Sequence, residues 1–301
     1  SVIFTGNAVA GKCNMEYVEI AYGGSSSWGL NFSGCNATMS HCEIHHNAGA
    51  GIFLNAASPT IDTCNIHHNT TYGVYCTLSS PTIRYDTIND NGSYGIAIFN
   101  TGSPVVHRCD INNSGNYGIY ISPATPTPTI TNNIIRNTGG YPVRLYASQV
   151  ESALSNNTYS GNTNNKIYVY GNTLSVDTYW EDKGIPYAVY TGHIYVHGQD
   201  GTNNVTTLTL EAGTELLFDE TMLYIGHQSN SSYPGGLMAR GTLSDSIRFS
   251  SAATSPAPGD WNKIYFANYA IDSLCELEYC VVEYGGYSTS TENILISHSN
   301  P

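Results

Sequence analysis

The sequence predicts an all-β chain coiled from short parallel strands, and three observations lead to this fold class. From Gly29 onward the chain repeats a unit of 22 to 24 residues. Within each unit apolar and polar residues alternate, as they do in strands that bury one face. Gly, Asn, Ser and Pro separate segments of three to five residues, which are too short for helices. A repeat of this length is typical of a solenoid in which each unit forms one turn.

Each unit supplies three strands, and the inward residues of successive units fall into columns. The first strand contributes two columns, Leu30, Ile52, Val74, Ile96 and Ile119, then Phe32, Leu54, Cys76, Ile98 and Ile121. The second strand contributes Met39, Ile61, Ile83, Val106 and Ile130, and the third contributes Ile44, Ile66, Ile88, Ile111 and Ile135. In such a coil each strand pairs in parallel with its equivalent about 4.8 Å away. We therefore expect the members of each column to stack along one axis.

Like residues also recur at the corners of the repeat. They are Asn47, Asn69 and Asn91 at one corner, Pro59, Pro81, Pro104 and Pro128 at another, and Trp28, Tyr72, Tyr94, Tyr117 and Tyr141 before the repeating glycine. Stacked amides can hydrogen-bond to one another, and stacked rings can pack face to face. The pattern predicts structural ladders along the coil.

The eight cysteines contain no CxxC pair of the kind that zinc or redox sites use. Cys42, Cys64, Cys109 and Cys280 fall in one inward column, and Cys13, Cys35 and Cys275 in another. Buried thiols pack as small hydrophobes, whereas a disulfide between Cys42 and Cys64, or between Cys13 and Cys35, requires a departure from ideal stacking. Asp86 and Asn133 take cysteine positions in the first column. An inward carboxylate such as Asp86 needs a partner or a proton.

Units of the form GIxIxxxxPTIxxCxIxxN resemble those of the right-handed parallel β-helix family, the pectate-lyase-like solenoids, and within it the repeat surface proteins of bacteria and archaea. The resemblance is clear from Met15 to about Leu145. It implies a single solenoid over 1-301, with regular rungs over about 15-145 and longer, irregular rungs over about 146-301.

Charge excludes two classes of partner. The chain has 10 Lys and Arg against 23 Asp and Glu, and a formal net charge of −13. A nucleic-acid ligand or an anionic membrane surface requires a basic face, which so few cations cannot form. The sequence contains no run of about 18 apolar residues, the pattern that indicates a membrane-spanning helix.

Two segments far apart in the chain match each other. MEYVEIAYGG, at 15–24, and LEYCVVEYGG, at 277–286, share five identities in ten positions. The final NILISHSNP also matches the opening of a rung. Exposed ends of β-sheets are normally covered, and a contact that does not close on itself generates a filament. We expect the molecule to continue into neighbouring modules of the same chain or to stack head to tail with copies of itself.

Two groups of side chains are candidate sites. His46, His68 and Asp90 would stack about 5 Å apart, a spacing that a divalent metal could bridge, or they form a solvated polar corner. Phe53, Tyr75 and Tyr120 form an outward column interrupted by Ala97. Such a column can stack on sugar rings, pack against a neighbouring molecule, or shield the sheet.

The preferred function is that of a non-enzymatic extracellular structural protein, a β-helical surface or filament subunit that assembles end to end and adheres. The alternative is a carbohydrate-active protein, a polysaccharide lyase, a glycoside hydrolase or a glycan-binding module. Lyases of the resembled family use a calcium cradle and a cationic base, and the related hydrolases carry NTD, GHD and RIK motifs. None of these three strings occurs in the chain. We expect no cofactor under the first function, and calcium under the second.

Overall fold

The computed structural model describes residues 2–5, 14–24, 28–200, 203–287 and 291–297. The chain divides into two compact units, one formed by Ser1–Leu145 and Ser152–Asn165, the other by Tyr146–Glu151 and Lys166–Pro301. The single solenoid predicted for 1-301 concerns the relation between these units and stays a prediction. Cys13 lies outside the described residues.

The first unit is a coil in which every rung has three strands that pair in parallel with the next rung. The first strands are Val2–Phe4, Trp28–Ser33, Ala50–Asn55, Tyr72–Thr77, Tyr94–Phe99, Tyr117–Ser122 and Val143–Tyr146. The second strands are Asn14–Glu16, Thr38–Ser40, Thr60–Asp62, Thr82–Arg84, Val105–His107, Thr129–Thr131 and Leu154–Ser155. The third strands are Glu19–Ala21, Glu43–His45, Asn65–His67, Thr87–Asn89, Asp110–Asn112, Ile134–Arg136 and Thr158–Ser160.

The second unit also has three strands in a rung, with longer connections. A 3₁₀-helix, Ala147–Gln149, lies in its first chain segment, and a short α-helix, Val150–Ala153, begins in that segment and ends in the returning segment of the first unit. The first strands of the second unit are Ile167–Tyr170, Tyr187–Thr191, Glu215–Phe218, Ile247–Ser251 and Cys280–Val282. The second strands are Thr173–Leu174, Ile194–Val196, Leu223–Ile225, Ile264–Phe266 and Ile294–Ile296, and the third are Thr178–Trp180, Thr206–Leu210, Gly235–Arg240 and Ala270–Glu278. The fully buried Trp180, Tyr187, Phe218, Phe249 and Trp261 fill its core.

The strand register confirms the predicted apolar columns of the first unit. Ile52 pairs with Leu30 on one side and with Val74 on the other. Ile83 lies between Ile61 and Val106. These side chains have no solvent-exposed surface, so the core of the unit consists of stacked aliphatic residues from all three strands.

The corners of the rungs adopt a left-handed backbone that no pattern in the sequence indicated. The residues after the third strands all have a positive φ: Tyr22, His46, His68, Asp90, Asn113, Asn137 and Gly161. Outside glycine this conformation costs about 1–2 kcal/mol per residue. Pairing with the next rung offsets the cost, because the N–H of His68 donates to the carbonyl of Asn89 and that of Asp90 to the carbonyl of Asn112.

The buried corner asparagines form a continuous hydrogen-bonded ladder. The amide Nδ2 and the backbone N–H of Asn47 both donate to Oδ1 of Asn69, at 2.9 and 3.2 Å. Asn69 makes the same two bonds to Asn91, at 3.0 and 3.1 Å, and its Nδ2 also donates to the carbonyl of Ile44. The amide of each rung thus satisfies a backbone donor of the previous rung.

The repeating glycine is required by this ladder. A Cβ on Gly73 would lie 2.9 Å from Nδ2 of Asn91 and 2.6 Å from the carbonyl oxygen of Gly95. The backbone at Gly73 therefore lies too close to the asparagine ladder and to the next rung for a residue with a side chain.

The cysteine column of the first unit contains thiols that donate to backbone carbonyls. Cys42 and Cys109 each lie within 3.6 Å of the carbonyl of the rung below, that of Met15 and of Ile83 respectively. Each cysteine among the described residues is a free thiol. Burial raises the pKa of the Cys64 and Cys109 thiols to about 12, which keeps them protonated and unreactive.

Asp86 occupies this column with one carboxyl oxygen unsatisfied. Its side chain is almost fully buried, and Oδ1 accepts the N–H of Cys64 at 2.6 Å. Oδ2 has no partner among the described residues. Burial, and secondarily the nearby Asp62, raise the pKa of Asp86 to about 7. Asn133, at the equivalent position two rungs on, accepts the N–H of Cys109 and also donates to the carbonyl of Val106 at 3.0 Å.

We predict that Asn69→Ala lowers the free energy of unfolding by about 3 kcal/mol or more, because it leaves several buried donors and acceptors of the ladder without partners. Chemical denaturation followed by circular dichroism measures the loss. Asn36→Ala is the matched control, since the exposed Asn36 accepts one bond, from the N–H of Ser58. Equal losses in the two variants would contradict a structural role for the ladder.

We predict that Asp86→Asn stabilises the protein above pH 7. The folded-state pKa of Asp86 lies above the ordinary 3.8, so the wild type loses stability as the pH rises from about 4 to about 7. The upper limit of this loss is roughly 4 kcal/mol. The amide of the variant cannot ionise, and its Nδ2 adds a hydrogen-bond donor, as Nδ2 of Asn133 does toward the carbonyl of Val106. Denaturation midpoints at pH 4.5 and pH 8 measure the effect.

Asp62→Asn is the control for this prediction, and we expect it to lower the stability at neutral pH, the opposite effect. Although partial burial opposes it, hydrogen bonds from Thr63 and Arg84 hold the pKa of Asp62 below its usual value. Its carboxylate therefore stabilises the fold at neutral pH and not at low pH. A pH-independent effect of Asp86→Asn would show that the buried carboxyl does not titrate with folding.

Candidate functional site

Aromatic side chains form a continuous strip on the outward side of the first strands of the first unit. We define the aromatic strip as Trp28, Phe53, Tyr72, Tyr75, Tyr94, Phe99, Tyr117, Tyr120 and Tyr141. All nine side chains are partly exposed. Outward positions bring them together because every rung repeats the same strand with the same register.

The predicted column Phe53, Tyr75 and Tyr120 belongs to this strip, and the gap at Ala97 is filled by a residue that the sequence analysis missed. Phe99 stacks on Tyr75 with ring centroids 4.9 Å apart and reaches Tyr120 at 5.5 Å. Phe99 lies two residues after Ala97 on the same face of its strand. The alternation of inward and outward residues along this strand could have predicted that Phe99 faces outward.

The two ends of the strip also depend on residues outside the predicted column. Trp28 stacks on Phe53 at 4.1 Å, the shortest ring spacing of the strip. At the other end, the guanidinium of Arg144 lies 4.7 Å from the centre of the Tyr120 ring, within the range of a cation–π interaction. Burial, and then the neighbouring Tyr72, raise the pKa of Tyr75, so its hydroxyl stays a hydrogen-bond donor.

The tyrosines predicted before the repeating glycine stack from rung to rung. Ring centroids of Tyr72 and Tyr94 are 5.2 Å apart, and those of Tyr94 and Tyr117 are 5.4 Å apart. Ala50 is the register partner of Trp28, so it separates Trp28 from this ladder. The tyrosines and the outward column therefore form one surface.

The paired histidines form two stacks. The ring of His45 lies parallel to that of His67 at 5.0 Å, and His46 lies parallel to His68 at 5.1 Å. Nε2 of His45 is 3.0 Å from the carboxylate of Glu19, and the two Nδ1 atoms of His45 and His46 are 2.7 Å apart. If His45 donates from Nε2 and both rings are neutral, the remaining lone pair of His46 lies at its exposed Nε2.

The structure places Asp90 in the column of His46 and His68, with its carboxylate already engaged. Both Asn89 and Asn113 donate their side-chain amides to it, and these bonds and His68 hold its pKa below the usual value. A zinc ion with Zn–N bonds of about 2.1 Å spans at most about 4.2 Å between two nitrogens, so the parallel rings would have to tilt. Within the described ranges, no three His, Cys, Asp or Glu side chains are arranged to hold a metal ion. Metal binding here stays a prediction.

The second unit contains an acidic groove that the sequence analysis missed. One cavity of about 300 Å³ is lined by Glu151, Asp177, Thr178, Tyr179, Thr207 and Thr209. A smaller adjoining cavity shares Glu151 and Tyr179 and adds Val150, Glu181 and Lys183. Lys183 forms an ion pair with Glu181. These residues come from different rungs and do not recur with the repeat, so no periodic signal marks them.

No helix among the described residues is long and apolar enough to cross a membrane.

A comparison with models of protein families gives a match. The model of the right-handed β-helix region matches residues 4–122 and 28–178. No curated protein and no solved structure matches the chain. The two matched ranges together span more than half of the 301 residues, and the parallel, three-stranded rungs agree with this match. The chain belongs to the right-handed β-helix family.

Proposed function

We propose that the protein is a non-enzymatic extracellular structural protein, a β-helical surface or filament subunit that assembles end to end with copies of itself or with neighbouring modules of the same chain. The observation that carries this proposal is an open apolar cavity in the last described rung of the second unit. The cavity has a volume of about 380 Å³ and is lined by Phe266, Ala270, Asp272, Cys275, Leu277, Ile294 and Ile296.

The lining of this cavity is the kind of surface that a further rung covers. Ile294 pairs with Ile264 on one side, and Ile296 is 69% exposed. The first described strand of the other unit also exposes apolar side chains, Val2 at 43% and Ile3 at 59%. Burial of such surface in water is favourable by roughly 25 cal/mol per Å².

The two matching segments support the same proposal, because two pairs of their equivalent residues share a left-handed backbone conformation. Tyr17 and Tyr279 are both left-handed, with φ of 54° and 46°, as are Tyr22 and Tyr284, with φ of 53° and 63°. In the first unit this segment is covered by a further rung, in which Met39 pairs with Met15. The segment at 277–286 thus shares two left-handed residues with a segment that a further rung covers.

We predict that Ile296→Lys weakens end-to-end association by at least about tenfold, since the cationic group would have to be desolvated in the contact. Sedimentation velocity and negative-stain electron microscopy over a concentration series measure association and rod length. The wild type should form longer rods as its concentration rises.

Leu243→Lys is the matched control, because Leu243 is 90% exposed in a turn and is not part of the cavity. It should associate like the wild type. Isolated particles of constant length at every wild-type concentration would overturn the proposal, as would equal association of the Ile296→Lys variant.

The aromatic strip favours a second candidate function, binding of an external glycan at the cell surface. Its rings provide partly exposed apolar edges, and its tyrosines add hydroxyl groups that can bond to sugar hydroxyls. A surface of this kind would give the assembled protein an adhesive side. Calcium-dependent polysaccharide cleavage is the enzymatic form of this candidate.

We predict that, if the strip binds a glycan, Tyr75→Ala weakens that binding about two- to twelvefold, as expected for one aromatic contact of roughly 0.5–1.5 kcal/mol. Glycan-array binding followed by titration of the bound glycan measures it, and a reducing-end assay on the same glycan detects cleavage. Tyr224→Ala is the control, since Tyr224 stacks in a separate tyrosine ladder with Tyr195 and Tyr265. Binding that is unchanged in Tyr75→Ala would exclude the strip as the site.

A further inference from the structure

The face of the first unit that contains the aromatic strip has no carboxylate, although the protein has a formal net charge of −13. The successive first strands from Trp28–Ser33 to Tyr117–Ser122 contain no charged residue, and Arg144 follows in the next rung. All Asp and Glu residues of 1–145 lie in or directly beside the second and third strands. Two copies of the protein therefore repel each other least when these faces meet.

The rings of the strip use their faces on one another. Trp28 and Phe53 lie within 10° of parallel, and Tyr75 and Phe99 within 24°, at centroid distances of 4.1 and 4.9 Å. Rings that stack along the coil direct their edges to solvent. A ligand ring that stacks flat needs an open face, which the interior of this column does not offer. A broad apolar surface laid across the ring edges fits the strip better.

Tyrosine hydroxyl groups make the strip complementary to itself. Each hydroxyl both donates and accepts hydrogen bonds, so two such surfaces can bond to each other, whereas two surfaces of carboxylates cannot. Burial raises the pKa of Tyr75 and of Tyr94, which keeps these hydroxyls protonated. The rungs of two copies also repeat at the same distance, about 4.8 Å, so a contact made in one rung recurs in the next.

The strip is large enough for a weak specific contact. It extends from the rung of Trp28 to that of Tyr141, about 24 Å along the coil, and its strands are about 20 Å long. Two such faces would bury on the order of 1,000 Å² in total, which is the lower limit for a specific interface between proteins. We therefore expect reversible association that depends on concentration.

We propose that the aromatic strip is covered by the strip of a second copy of the protein, so that two copies pair side by side through their first strands. A two-fold pair of this kind buries the same surface on both copies and closes on itself. It needs none of the residues of the apolar cavity in the second unit, and so goes beyond end-to-end association. Where both contacts form, side-by-side pairing joins rods into bundles, because many weak contacts act together.

The test is sedimentation velocity of the Ile296→Lys variant, the parent protein here, over a concentration series. End-to-end association is weakened in this parent, so the remaining association reports on the strip. We expect a reversible equilibrium between monomer and dimer. Tyr75→Lys and Tyr75→Asp, each added to the parent, should weaken dimerisation at least tenfold, because a charged group would have to be desolvated in the pair.

An equal mixture of the Tyr75→Lys and Tyr75→Asp proteins should restore the dimer. Tyr75 lies near the middle of the strip, so in a parallel or an antiparallel pair the two copies of this position lie within about 5 Å of each other along the coil. The opposite charges then attract. Mixing would not rescue variants that had merely failed to fold.

Tyr224→Lys and Tyr224→Asp are the matched controls, since Tyr224 belongs to the separate tyrosine ladder of the second unit. Both should dimerise as the parent does. If the Tyr75 variants do not fold, Thr77→Lys and Thr77→Asp take their place, because Thr77 is partly exposed on the same strand.

The proposal is overturned if the parent stays monomeric at every concentration, if the Tyr75 variants dimerise as the parent does, or if the mixture does not restore the dimer. A glycan that binds the strip of a protein that stays monomeric would also overturn it, and would assign the strip to glycan binding. These outcomes are independent of the rods formed by the wild type, which test the end-to-end contact.

Discussion

Parallel pairing of each rung with the next, in constant register, is the constraint on which the rest of the first unit depends. It places the equivalent side chains of successive rungs about 4.8 Å apart, whatever those side chains are. It also supplies the backbone hydrogen bonds that hold His68 and Asp90 in a left-handed conformation at the corners. A single rung could not hold that geometry, because the stabilising acceptor belongs to its neighbour.

Stacking of identical side chains in successive rungs is favourable for some residue types and unfavourable for others. Amides have a donor and an acceptor, so Asn47, Asn69 and Asn91 satisfy one another. Histidine stacks remain acceptable while the rings are neutral, and desolvation together with the other imidazoles lowers the pKa of His46. Asp86 has the shape of Asn133 in the same column but only acceptors when ionised, which leaves one oxygen without a partner. The same geometry that stabilises the fold thus makes it sensitive to protonation at these positions.

The outward surfaces of the two units differ in chemical character. The first unit has a strip in which Trp28, Phe53 and Tyr75 contact one another directly. The second has longer connections that bring acidic side chains from separate rungs around one cavity. Regular rungs produce extended surfaces, because each rung places a side chain at the same outward position. Irregular rungs produce local concave surfaces, because their longer connections bring together residues that do not repeat.

Repetition in the sequence by itself determined the coil, its three strands per rung and the inward columns of the first unit, since a period of 22 to 24 residues with alternating apolar positions has few other solutions. The ladder residues Asn69 and Tyr94 followed from the same register. Tertiary structure alone decided that Phe99 closes the gap at Ala97, that corner residues such as His46 are left-handed, and that Glu151, Asp177 and Thr207 line one cavity. The physical reason is that periodicity reports contacts between equivalent positions, whereas contacts between unlike positions depend on side-chain reach and on the path of connections that do not repeat.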